Sequence, residues 1–165
     1  MSIAKSPAEA RRPEARRPAS EAAASGEGRA AQPYVQQVRI YYEDTDAGGV
    51  VFYANYLKFF ERCRTDWLRA MGINQTALAE QSRRLFVVKG LEIQYRRPAR
   101  LDDLLTIHST VTRVGVASLH FLQKAYRDGE LLCESTIKVC CIDADRFRPA
   151  ELPETLRHQL EQALN

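Results

Sequence analysis

Tyr56, Phe60, Cys63, Trp67 and Met71 recur at spacings of four, three, four and four, with Tyr53, Leu57 and Leu68 widening the stripe. That period is helical, about five turns long, and it predicts a helix that begins near Val51 to Tyr53 and ends at Gly72. Lys58, Glu61, Arg62, Thr65 and Arg69 fall off the stripe, but Phe59 and Ala70 broaden the apolar face until little of the helix is left for water. A helix with so wide an apolar face must be covered, so the remaining question is what covers it.

The rest of the chain supplies strands. YVQQVRIYY, Tyr34 to Tyr42, alternates Val38, Ile40 and Tyr42 against Gln37, Arg39 and Tyr41, as a half-buried strand does. Leu85 to Tyr95, Leu104 to Val114, Ala117 to Arg127 and Leu131 to Ile142 are rich in β-branched residues, with tight-turn signals at Val114-Gly115 and Asp128-Gly129. A short helix over Asn74 to Ser82, with Asn74 as its N-cap, connects the two regions, and a terminal helix runs from Pro153 to about Ala163. The expected architecture is α+β: an antiparallel sheet curled around one long helix.

Residues 1–33 stand apart. They hold no aromatic residue and no apolar period, and prolines 7, 13, 18 and 33 lie among alanine, arginine, serine and glycine, the composition of a disordered arm. The arm supplies two of the three net positive charges, leaving 34–165, a single domain, close to neutral. A near-neutral domain offers no broad electrostatic footprint for nucleic acid. The arm has no apolar centre of a secretory signal, its four glutamates argue against a transit peptide, and no segment reaches the length of a membrane span, so a cytoplasmic location is expected.

Cys63, Cys133, Cys140 and Cys141 form no CxxC pair, and His108, His120 and His158 have neither zinc spacing nor a nucleophile partner. Buried free thiols, no metal and no cofactor are expected.

Between the first strand and the helix lies EDTDAGG. Extended alternation through this loop would put Asp44 and Asp46 on one side and Glu43 on the other, with Asp46 nearest the glycine turn. Gly48 and Gly49 can take positive φ and bring backbone close to a ligand, and the amides expected at the helix start, over Val51, Phe52 and Tyr53, suit an anion or a developing oxyanion. A carboxylate there is favoured in its ionised form, as a base or nucleophile needs. Acids before a helix also commonly cap it, and glycine pairs often only turn the chain, so the residues alone leave both readings open.

The stretch EDTDAGGVVFYANYLKFFERCRTDWLRAMG resembles the signature of the hotdog-fold acyl-CoA thioesterases of the Tol-Pal-associated YbgC type, and YRRPARLDD with the later strands extends the resemblance over roughly Val35 to Leu152. The resemblance implies a hotdog fold, homo-oligomers (dimers and often tetramers) and active sites between subunits. By analogy with the related 4-hydroxybenzoyl-CoA thioesterases it implies Asp46 as catalytic carboxylate and the backbone amide of Tyr53 as the group polarising the thioester carbonyl. YbgC-type sequences frequently carry a histidine at the Tyr53 position, so an imidazole role does not transfer and an amide role does.

Gly49, Val51 and Phe52 are then expected beside the substrate, and family similarity puts Val88, in FVVKG, near the neighbouring subunit's site. Arg96, Arg97 and Arg100 surround Pro98, where guanidinium groups suit CoA phosphates or a solvated loop alike; Arg97 is the contact expected. Glu61 is expected to pair with Arg64 or Thr65 in a structural role.

The implied activity is hydrolysis of an acyl-CoA thioester, with a place in lipid metabolism and acyl carrier protein as a further partner. The competing reading is a non-catalytic acyl-CoA- or acyl-carrier-protein-binding scaffold near the Tol-Pal envelope system. The hydratases of the same fold pair an aspartate with a downstream histidine, which DAGGVV lacks.

Overall fold

The computed structural model describes residues 32–164, so the arm expected at 1–33 lies, but for Gln32 and Pro33, outside the described residues. Five strands, β1 (Tyr34–Arg39), β2 (Arg84–Tyr95), β3 (Leu104–Val114), β4 (Ser118–Arg127) and β5 (Glu130–Asp143), form one antiparallel sheet in the order β1-β3-β4-β5-β2. Three helices, α1 (Asn55–Ala70), α2 (Gln75–Ser82) and α3 (Glu154–Gln162), complete it. This is the hotdog fold, α+β, with α1 as the covered helix.

Local chemistry explains where most elements stop. Gly72 (φ +79°) closes α1 in a Schellman motif: its N–H donates to Arg69 O, and the Ile73 N–H reaches Leu68 O, both at 2.9 Å, while Ile73 and Leu68 are buried. The Asn74 side chain caps α2 by accepting from the Thr76 and Ala77 amides at 2.9 and 3.1 Å. Asp128 and Gly129 both take positive φ, +49° and +82°, between the paired Arg127 and Glu130, the two-residue hairpin turn whose twist suits β4 and β5.

Two expectations at the start of α1 need correction. The first strand, expected to reach Tyr42, ends at Arg39, and Tyr42–Asp44 coil into a 3₁₀ turn, so the faces that continued alternation would have given Glu43, Asp44 and Asp46 do not apply. The helix begins at Asn55, with Tyr53 and Ala54 in the preceding turn, so Tyr53 is not part of the helical stripe; at the far end Ala70 is exposed.

Tyr56, Phe59, Phe60, Cys63 and Leu68 bury one face of α1 against the sheet, where each large side chain contributes roughly 1.5–3 kcal/mol. From the sheet, Leu105 and Ile107 of β3, Leu119, Phe121 and Ala125 of β4, and Ile137 and Val139 of β5 meet them, and Trp67 stands edge-on to Phe121 at 5.5 Å. A polar row crosses this apolar layer. Ser109, Gln123 and Ser135 are register partners on β3, β4 and β5, and all three are buried.

Gln123 is the centre of that row. Its Nε2 donates to the helix carbonyl of Phe60 (3.0 Å) and to Ser109 Oγ (2.9 Å), and its Oε1 accepts from the buried Arg64 guanidinium at 2.7 Å. Burial pushes Arg64 below its ordinary pKa, with the Glu61 charge opposing. Glu61 itself accepts from the Thr65 hydroxyl at 2.7 Å, the structural pairing expected of it.

All four cysteines are free and buried. Burial pushes the thiols of Cys63 and Cys141 up to about 11 and that of Cys133 to about 12. Among the described residues no helix is long and apolar enough to cross a membrane, and no group of three or more His, Cys, Asp or Glu side chains could hold a metal ion.

Gln123→Ala removes the side-chain donor to the Phe60 carbonyl and leaves the Ser109 hydroxyl and one Arg64 donor without their partner at once. The expected cost is about 3 kcal/mol in urea unfolding. A loss below about 1 kcal/mol would mean that water replaces the amide and that the row is not a tie between helix and sheet.

Candidate active site

The acidic loop folds back on itself. Thr45 and Val51 form an antiparallel bridge, the Asp46 N–H donates to Val50 O, and the Gly49 N–H donates to Asp46 O, both at 2.9 Å. Gly49 sits at φ +72°, the left-handed position that closes such a three-residue loop and that a side chain would strain. Asp46 Oδ1 accepts from the Gly48 N–H at 2.8 Å, and a Cβ at Gly48 would stand 3.1 Å from that oxygen, so the missing side chain gives the carboxylate its place.

The three acids divide by environment. Glu43 is exposed. Asp44 is buried, and its Oδ2 accepts from the Tyr41 N–H at 2.9 Å, so it closes the 3₁₀ turn; α1, the helix an acid here was expected to cap, has no side-chain cap. Asp46 is exposed, and among the described residues its Oδ2 has no partner.

The segment from Val51 to Asn55 connects this loop to α1. The Val51 N–H donates to Ala99 O and the Phe52 N–H to Asp44 O, each at 2.9 Å, so two of the three amides expected to face a ligand are used by the protein. Asn55 completes the clamp: its Nδ2 donates to the same Asp44 carbonyl at 2.9 Å, and its N–H closes a turn onto Phe52 O. Among the described residues the Tyr53 and Ala54 N–H groups donate to no backbone carbonyl. An exposed carboxylate and a pair of unused amides thus stand on either side of one short loop.

Asp46, Val51, Tyr53 and Arg97 share a cleft of about 340 Å³ with Val50, Tyr56, Tyr95, Arg96 and Pro98. Gly49 and Phe52 stand outside its lining; Gly49 turns the loop, and the Phe52 ring packs on Tyr53 with centroids 4.7 Å apart. Val88, half-exposed on the edge strand β2, lines a separate cavity with Glu61, Arg64 and Phe86. Arg97 meets Glu130 at 3.4 Å with both side chains exposed, a contact that water screens, whereas Arg96 is held by Glu134. The wall carrying them is fixed by Arg127, which binds Asp103 Oδ2 at 2.8 Å, Glu130 at 3.1 Å and Pro98 O at 3.3 Å.

Asn55 and Tyr95 carry no distinctive local motif, and Tyr56 shows in the sequence only as part of the apolar stripe. Burial pushes the Tyr56 phenol up to about 12, against the lowering effect of the Ala99 backbone, so it stays protonated at neutral pH. The cleft therefore combines one carboxylate, uncharged aromatic walls and a cationic rim. This combination suits a ligand with a polar reacting centre, an apolar group and an anionic end.

The comparisons with known proteins agree with that chemistry. The model of the thioesterase-like superfamily matches residues 40–160. The acyl-CoA thioesterase YbgC of Haemophilus influenzae is 45% identical over 120 residues, covering 73% of this chain and 88% of the relative. The acyl-CoA thioester hydrolase YbgC of Escherichia coli O6:H1 is 42% identical over 126 residues, 76% of this chain and 93% of the relative. Among solved structures, a probable thioesterase from Bartonella henselae superposes with a TM-score of 0.70 at 36% identity, over 73% of this chain and 99% of its own.

Asn55→Ala removes one of the two donors on the Asp44 carbonyl. The expected result is a loss of about 1–2 kcal/mol in stability, with faster amide hydrogen exchange confined to residues 45–53. Unchanged exchange there would show that the Phe52 amide alone holds the loop.

Proposed function

The chain belongs to the thioesterase-like superfamily and is a thioester hydrolase; from that premise we propose that it hydrolyses acyl-CoA thioesters to the free acid and CoA, with Asp46 as the reacting carboxylate. The observation that supports the reading is that Asp46 and Tyr53 line one cleft. The carboxylate is oriented through one oxygen by Gly48 and keeps the other for chemistry, and Tyr53 offers an N–H with no backbone acceptor.

Two routes use this geometry. In the first, Asp46 takes a proton from water as the water oxygen bonds to the thioester carbon; the C–S bond then breaks and CoA leaves as thiol after protonation. In the second, an Asp46 oxygen attacks the same carbon, CoA thiolate leaves, and water hydrolyses the mixed anhydride. In both, negative charge grows on the thioester oxygen, and the Tyr53 N–H is the donor proposed to stabilise it. Arg97 is proposed to meet CoA phosphates from the rim, its weak tie to Glu130 being easily exchanged for a phosphate.

Val88 belongs to this reading through a second copy of the chain: its cavity, lying apart from the Asp46 cleft, is proposed to meet the neighbouring subunit's substrate in a dimer or tetramer. Acyl carrier protein is proposed as an alternative thioester donor, and the cytoplasm as the compartment.

Asp46→Asn keeps the side-chain oxygen that accepts from Gly48 and removes the charge. Turnover, measured as thiol release over short, long and aromatic acyl-CoA substrates, is expected to fall by about 10²–10⁴-fold with the unfolding midpoint kept. A folded variant working near the wild-type rate would reject Asp46. Wild-type binding without turnover across the series would favour the Tol-Pal-associated scaffold reading instead.

A further inference from the structure

The turn that carries the unused amides is held unevenly. Its ends are fixed, Phe52 through Asp44 O and Asn55 through both its amide and its side chain. Its central peptide, joining the Tyr53 carbonyl to the Ala54 N–H, lies between these anchors. Ala54 takes φ −76° and ψ −17°, as the third residue of a type I turn does. Rotation of that central peptide converts a type I turn into type II, turning the carbonyl and the following N–H to opposite sides while the ends barely move.

α1 does not hold this carbonyl, because the Leu57 N–H goes to Ala54 O at 3.1 Å. The partner of the Tyr53 carbonyl is the phenol of Tyr95, 42 residues away at the end of β2, which donates to it at 2.8 Å. The Tyr95 ring, itself half-exposed at the end of the sheet, also stands edge-on to Tyr53 and Tyr56, with centroids 6.5 and 5.7 Å apart.

We infer that Tyr95 is a positioning residue for thioester hydrolysis: its hydroxyl holds the Tyr53–Ala54 peptide in the orientation that keeps the Ala54 N–H, which that peptide carries, available to the thioester oxygen beside the Tyr53 N–H. The inference rests on the proposed pairing of Asp46 with the Tyr53 amide. It adds a second donor, the Ala54 N–H, whose orientation is maintained from β2 and not by the loop alone. Tyr95 also lines the cleft, so the competing assignment is a simple wall residue that touches the acyl group.

Tyr95→Phe separates the two, since it retains the ring and deletes only the donor. With acyl-CoA as substrate and the full chain as enzyme, kcat is expected to fall by about 10²-fold while KM stays within about twofold, as misplacement of a reacting group does. Amide exchange at the hydrogen-bonded Phe52 and Asn55 N–H groups that anchor the turn should rise, with α2 and β4 unchanged. A change in KM alone would make Tyr95 a wall residue and overturn the inference, as would unchanged kcat and unchanged exchange.

Asp46→Asn, run beside it, tells the two levels apart. If Asp46→Asn is inactive and Tyr95→Phe is wild-type, the positioning role fails and the proposed site stands. If folded Asp46→Asn turns over normally, the site reading fails and the inference with it. Should Tyr95→Phe unfold, Tyr95→Trp, a ring whose N–H cannot match the phenol's reach, is measured by the same kcat and exchange readouts, and wild-type values in it overturn the inference.

Discussion

A buried amide joins the two layers of this protein. Hydrophobic packing brings α1 onto the sheet but is tolerant of small slides, because apolar contacts have little directional preference. Gln123 removes that tolerance: hydrogen bonds to the Phe60 carbonyl, to Ser109 and from Arg64 are satisfied together only at one register of helix on sheet. Leaving any of these groups unpaired away from water costs more than a typical bond contributes, so the constraint works mainly by excluding alternatives. The turn at Tyr53 lies about two helical turns before Phe60, so the placement of the first is tied to that of the second.

The candidate site is built on that fixed helix from parts with separate tasks. Asp44 is spent on structure, through its carboxylate to Tyr41 and its carbonyl to Phe52 and Asn55. Asp46 holds its own tight turn through its backbone and Oδ1, and its Oδ2 has no partner among the described residues. Neutral aromatic rings and the Arg96–Pro98 segment form the opposite wall, which Arg127 braces against β4 and β5. One acid is buried and another, two residues on, stays exposed.

What could be read from the sequence was what short-range physics decides. The α1 stripe, the stop at Gly72, the Asn74 cap and the Asp128-Gly129 turn each depend on a few neighbouring residues, and each lies where its local chemistry put it. Glu61 beside Thr65 was readable for the same reason, whereas the cap expected on α1 is not formed, because Asp44 is taken into the 3₁₀ turn. The helix start was misjudged because Tyr53 and Ala54, though apolar in pattern, are diverted into a turn held by Asp44 and Tyr95. Strand alternation could not carry through Tyr42–Asp44, where a 3₁₀ turn sends Asp44 inward and leaves Asp46 outside. Gln123 and Tyr95 carried no local signal: a glutamine in a strand and a tyrosine at its end become informative only when residues 63 and 42 positions away arrive beside them.

The buried cysteines bear on the chemistry in another way. Each turnover of a thioester hydrolase liberates a thiol, so the protein works in a solution of its own thiol product. Thiol–disulfide exchange proceeds through thiolate attack, and in Cys63, Cys133 and Cys141 burial suppresses the thiolate while closing off approach. A mixed disulfide, which would form when a protein thiolate attacks the oxidised, disulfide form of that product and displaces one product thiolate, therefore has no ready foothold at these three positions. The same packing that fills the core also keeps the protein chemically separate from what it releases.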